Sequence, residues 1–318
     1  MLMKKIPFLL LALVLLAACN GQKDNRKKEA KNEKPVITVS IEPLRYFTEA
    51  IVGDRFKVVS MVPKGVSPET YDPTPQQLID LSHSKAYFRI GFIGFEQVWA
   101  DKLSDNAPHL SFFNLSKGID LIYDEAHAHQ HEELASVPAG AAPKQTDHEP
   151  KGVEPHIWNS TVNAQIIAGN IVKAMLTLDE GNDSLYMARY NELSRKIEYT
   201  DSLICAMLSN PKADRSFLIY HPALSYFARD YDLHQIAIED GGKEPSPAHL
   251  QELIGAAKEE DIHVVFVQPE FDRRNAELIA RQTGTQVVDI NPLAYDWENE
   301  MLHIARALAN PPVADVKP

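Results

Sequence analysis

The 318 residues are enough for two domains with cores of their own, and 44% hydrophobic with 24% charged residues excludes a wholly disordered chain. A formal net charge of -12 excludes a general binder of nucleic acid or anionic membrane, which would need a basic surface. A cationic ligand is the easier partner.

In chain order, Lys4 and Lys5 precede an apolar run over residues 8–18 that is too short to span a bilayer and reads as a secretory h-region. Its end, Leu16-Ala17-Ala18-Cys19, resembles the bacterial lipobox, whose cysteine is lipidated and becomes the mature N-terminus. Residues 1–18 are therefore predicted to be a lipoprotein signal peptide, with Cys19 the membrane anchor; a plain cleaved signal with an incidental cysteine is the alternative. With Cys19 lipidated, Cys205 is the only other cysteine, so no intramolecular disulfide is available. Residues 19–34 mix both charges with almost nothing apolar and are expected to be a solvated tether.

From Val36, short β-branched or aromatic runs predict strands at VITVSI (36–41), KVVSMV (57–62), AYFRI (86–90) and SFFNL (111–115). A second set follows at SFLIY (216–220), HQIAI (234–238), HVVFV (263–267) and TQVVDI (285–290). Two sets of four strands, alternating with helical patterns, predict an α/β fold of two lobes, each a four-stranded parallel sheet flanked by helices. Helices are predicted over 161–178 and 183–208. The second puts Tyr186, Tyr190, Leu193, Ile197, Ile204 and Leu208 on one stripe of a rod roughly 40 Å long. Such a rod would join the lobes stiffly, although a surface helix of one lobe would carry the same stripe. Cys205 on it is read as a core residue. The expected domains are a first lobe over 35–182, the linking helix 183–208 and a second lobe over 209–318.

The segment 124–152 has no useful periodicity and reads as a loop. It holds His127, His129, His131 and His148, and His-rich tracts are a compositional sign of metal binding. A solvated insertion is the other reading of this stretch.

Three motifs place chemistry-bearing residues where loops follow strands or open helices. In GVSPETYDPTP (65–75), Pro68, Pro73 and Pro75 stiffen the backbone around Glu69 and Asp72. In EPHIWNST (154–161), His156 sits between a proline and a helix start that Asn159 or Ser160 can cap. In YHPALSYF (220–227), His221 follows a predicted strand, at the end where open α/β sheets bind ligands. Either histidine, taken alone, also fits a structural, hydrogen-bonded role.

These motifs in this order, together with KEPSPAHLQEL, VVFVQPEFD and VVDINPLAYDW, resemble the solute-binding proteins of zinc and manganese ABC importers, the ZnuA and TroA type. The resemblance spans nearly the whole mature chain. It implies two α/β lobes joined by one long helix, with the metal between them, and a monomer that serves an ABC permease and its ATPase subunit. His156 and His221 match the family's second and third ligands, and Glu69 stands where the first is usually histidine. The family's fourth, acidic ligand aligns with Asn291, a poor donor, so Asp296 is the preferred substitute, with Asp289, Asn291 or water as alternatives.

Two imidazoles and one or two carboxylates suit tetrahedral Zn²⁺, whereas oxygen from Glu69 also suits Mn²⁺. A His- and acid-rich insertion before the second ligand motif is typical of the family's zinc-specific members, which favours zinc. The expected function is capture of Zn²⁺ for import by an envelope lipoprotein that faces the periplasm, with display at the outer surface as an alternative. No turnover is expected. Affinity should fall as acid protonates the imidazoles, between about pH 7.5 and 5. A manganese-binding member, a surface adhesin and a metallohydrolase are the rival readings. The hydrolase is disfavoured because HAHQH (127–131) lacks rigid support.

Overall fold

The computed structural model describes residues 34–123 and 152–309. Cys19, the predicted signal and tether, and His127, His129, His131 and His148 lie outside the described residues.

The described residues from Pro35 onward form one compact unit built on two parallel sheets. The first contains β1 (Val36–Val39), β2 (Lys57–Ser60), β3 (Ala86–Arg89) and β4 (Ser111–Asn114), in the order β2-β1-β3-β4. The second contains β5 (Ser216–Ile219), β6 (His234–Ala237), β7 (Val264–Val267) and β8 (Gln286–Asp289), in the order β6-β5-β7-β8. All eight predicted strands are present, each four residues long. The helices between strands are α1 (Glu42–Val52), α2 (Pro75–Ser82) and α3 (Gly94–Asn106) in the first lobe. In the second they are α6 (Ser225–Asp230), α7 (Pro247–Glu259) and α8 (Arg274–Thr283), followed by the terminal α9 (Trp297–Ala309).

Between the sheets run α4 (Thr161–Leu178) and α5 (Asp183–Leu208), over the residues that apolar spacing predicted. Ser160 caps α4 by accepting the amide of Asn163 at 3.0 Å, which satisfies one of the amides a helix start leaves unpaired. The stripe of α5 is buried at Tyr186, Leu193, Ile197, Ile204 and Leu208. It packs on α1 and α4 of the first lobe and on α9 of the second, so the rod is wedged between lobes. Cys205, expected in the core, is exposed: it follows buried Ile204 by one residue, about 100° around the helix, and faces away from the stripe.

Side-chain alternation on β5 and β7 sends Phe217, Ile219, Val264 and Phe266 into the main core, which the first lobe shares. Leu218, Tyr220, Val265 and Val267 enter a smaller core that also takes in Leu250, Leu253 and Ile254 of α7 and Ala276 and Ile279 of α8. Burial of both faces is why these strands read as continuous apolar runs.

The two lobes are also pinned by polar contacts. The indole N–H of Trp158 donates to Pro292 O at 2.7 Å, and that of Trp297 donates to Trp158 O at 2.7 Å. Asn159 Nδ2 donates to Ala223 O at 2.9 Å, and the Tyr226 hydroxyl to Glu154 O at 2.9 Å. The segment 154–159 is thus fixed against the second lobe before α4 begins.

Candidate metal centre between the lobes

A small cavity lies between the lobes, lined by Glu69, His156, His221, Gln268, Glu270 and Phe271 among others. Loops at the C-terminal ends of strands form it, as the topology of open α/β sheets dictates. His221 follows β5, Glu270 follows β7 and Glu69 comes from the long connection after β2.

Both imidazoles are buried and both are oriented by a carboxylate. His156 Nδ1 lies 2.5 Å from Glu154 Oε1, and the same oxygen accepts the His156 backbone amide at 2.9 Å. His221 Nδ1 lies 2.9 Å from Glu239 Oε1. An ionised carboxylate only accepts, so each Nδ1 carries the proton and each neutral ring presents a lone pair at Nε2. The two Nε2 atoms face each other at 3.3 Å. Two lone pairs at that separation repel unless a proton or a cation stands between them. Burial lowers the pKa of His221, but the hydrogen bond and charge of Glu239, helped by Glu69 and Glu154, leave it raised above the ordinary value.

Aromatic rings fix the planes of the imidazoles. Trp158 meets His156 edge-on with centroids 5.2 Å apart, and Phe271 stacks on His221 at 5.2 Å. Gln268 holds the His221 backbone from both sides: Nε2 donates to His221 O at 2.6 Å and Oε1 accepts His221 N at 3.3 Å.

Glu69 is set by α3. Its Oε2 accepts the amide of Gly94 at 3.1 Å, at a helix start that favours negative charge. A Cβ on Gly94 would lie 2.3 Å from Glu69 O, so only glycine allows this approach. The other oxygen, Oε1, is buried without a hydrogen-bond partner. On the far side of Glu69, Thr74 and Gln77 form a capping box with Pro75 in the first turn of α2, so the prolines serve a helix start as well as a turn.

Asp296 is not brought to this cavity. It is exposed, accepts Asn299 Nδ2 at 2.7 Å and lines a separate hollow with Glu42 and Lys64. Asp289 pairs with Arg273 at 3.2 Å, and Asn291 Oδ1 accepts the Leu293 amide at 3.1 Å. From that stretch only Pro292 and Leu293 reach the cavity. Among the described residues no three His, Cys, Asp or Glu side chains converge closely enough to hold an ion as they lie. Glu239 and Glu270 were not singled out in the sequence, although Glu270 follows a predicted strand as His221 does.

Residues 37–310 match the family described as "ZnuA: Zinc-uptake complex component A periplasmic". The chain belongs to the ZnuA family. It is 28% identical over 286 residues to the high-affinity zinc uptake system protein ZnuA of Bacillus subtilis (strain 168), covering 88% of this chain and 85% of that one. It is 26% identical over 297 residues to the manganese ABC transporter substrate-binding lipoprotein scaA of Streptococcus gordonii, covering 90% and 88%. A crystal structure of ZnuA superposes with a TM-score of 0.76 at 34% identity, over 88% of this chain and 99% of that one. A zinc-bound deletion mutant of ZnuA gives 0.75, again at 34% identity, over 90% and 100%. The two-lobed α/β fold and long helix expected from the sequence are those of this family.

Proposed function

We propose that this protein is the solute-binding component of a metal ABC importer that captures Zn²⁺ between its lobes and passes it to a membrane permease energised by an ATPase subunit. One observation carries this reading: two buried imidazole nitrogens, each with its other nitrogen tied to a carboxylate, face a single point from opposite lobes. That carboxylate–histidine arrangement fixes the tautomer and raises ligand basicity in metal sites. Glu69, His156 and His221 are the proposed ligands; all three line the cavity, and Glu69 Oε1 is buried there without a hydrogen-bond partner.

The cargo is held and released without bond chemistry. The chain's own groups orient the imidazoles, exclude water and present charge. Lipidation at Cys19 would keep the protein at the cell envelope near its permease, and the histidines of 124–152 would gather zinc nearby. Manganese is the second reading, favoured by the carboxylate of Glu69 and by relatives named for that metal.

Competition titration of the metal-stripped protein with Zn²⁺ and Mn²⁺ tests the proposal. Tight, pH-dependent zinc binding that is lost in His221→Ala is expected. Failure of the wild type to bind either metal would sink the function, and tighter Mn²⁺ than Zn²⁺ binding would transfer it to the second reading.

A further inference from the structure

The geometry points to Glu270 as a direct fourth metal ligand, making a donor set of two imidazoles and two carboxylates. This rests on the proposed metal capture and adds to it a residue that no motif assigned.

The polar groups of the cavity can be taken in turn. Glu154 and Glu239 are engaged by the two Nδ1 atoms, and Gln268 is engaged at both ends by the His221 backbone. Ser67 Oγ accepts the Glu69 amide at 3.4 Å. Two side-chain atoms of the lining residues are left buried and without a hydrogen-bond partner: Glu69 Oε1 and Glu270 Oε1. An unmet buried carboxylate oxygen is costly, and such an atom in a native protein calls for a partner. One comes from each lobe, and both residues line the cavity that holds the paired imidazoles.

The backbone that carries Glu270 is built around His221. Gln268-Pro269-Glu270-Phe271 is a tight turn closed by Phe271 N to Gln268 O at 3.2 Å. Its first residue holds the His221 backbone and its last stacks on the His221 ring. The glutamate between them is therefore indexed to the ligand histidine through the backbone of this turn. Burial raises the pKa of Glu270, while its own backbone amide and the nearby His221 work the other way. As ligands, the two carboxylates of Glu69 and Glu270 would between them match the charge of a divalent cation.

Asp296 is the contrasting candidate, because it is exposed and already bonded to Asn299. The test uses the purified full chain, stripped of metal, as wild type, Glu270→Gln, Asp296→Asn and His221→Ala. Zn²⁺ affinity is read by chelator competition, and the ligand shell by the visible absorption of the Co²⁺ form. Glu270→Gln is expected to weaken zinc at least about tenfold and to alter the Co²⁺ spectrum, because a ligand matters no less than the residues behind it. Asp296→Asn should leave both unchanged. Wild-type affinity in Glu270→Gln, or weakened affinity with an unaltered Co²⁺ spectrum, would overturn the assignment while loss of binding in His221→Ala kept the capture reading intact. A wild type that binds neither metal would remove both.

Discussion

The two halves of the metal centre are built differently. The first-lobe half is local: Glu154, His156 and Trp158 lie within five residues, and one glutamate oxygen takes both the ring and the backbone amide of the histidine. The second-lobe half is assembled from afar. His221 follows β5, Glu239 follows β6, and Gln268 and Phe271 follow β7. The first half needs little more than a correctly folded loop, whereas the second exists only when the whole sheet is in register.

The hardest way to break the comparison is to delete each imidazole. His156→Ala and His221→Ala should each lower zinc affinity by at least about a hundredfold, the upper end of what removing a residue behind the metal costs. Near-wild-type binding in either, measured by chelator competition, would show that the halves do not share one ion. Gly94→Ala comes next. The added methyl must push Glu69 away, weakening zinc and destabilising the fold by about 1–3 kcal/mol in urea unfolding. Unchanged stability and affinity would mean that Glu69 needs no support from α3.

The orienting carboxylates sharpen the contrast. Glu154→Gln and Glu239→Gln should each cost about 10–100-fold in affinity. Because Glu239 also holds His221 above its ordinary pKa, losing it should move the acid limb of zinc binding to lower pH, which a titration of affinity against pH reads directly.

The smallest expected effect on metal binding concerns Glu96, which does not line the cavity and acts on stability alone. Its carboxylate is wholly buried, accepts Ile90 N at 3.1 Å and Gly91 N at 2.5 Å, and is also bonded by Ser40 Oγ. Burial pushes its pKa up from 4.5 to about 7. The native state then keeps a proton that the unfolded chain gives up, so the contribution is full below about pH 4.5 and is lost as pH rises toward 7. Linkage allows at most about 3 kcal/mol across that window. Glu96→Gln should flatten this part of the stability profile; an identical slope in the variant would rule Glu96 out as its source.

The same local-against-distant division explains what was legible in the sequence. Helical spacing marked 161–178 and 183–208 to the residue, and apolar runs located every strand, because those patterns are short-range. Strands ended one or two residues early where the chain turns toward the cavity, as at Ile41 and Tyr220. Glu69, His156 and His221 carry recognisable neighbours. Glu239 has none, since its importance arises from β6 lying beside β5, and Glu270 lies in QPEFD (268–272), a stretch that carries no sign of which way its side chains face. Nearness along the chain favours Asp296, but Pro292 and Leu293 line the cavity and Asp296 does not. Cys205 was placed in the core from helix membership alone, and its exposed face shows why the angle around the axis matters.

The indole of Trp158 gives the protein an optical reporter of its own. Of three tryptophans, Trp158 alone touches a candidate ligand ring, at 5.2 Å from His156, while Trp297 binds its carbonyl and Trp99 lies beneath Lys102. Emission from Trp158 should therefore change when an ion enters between the imidazoles, without any dye or label. The Trp158→Phe variant should lose that change and Trp99→Phe should keep it, so intrinsic fluorescence can follow loading and unloading in real time.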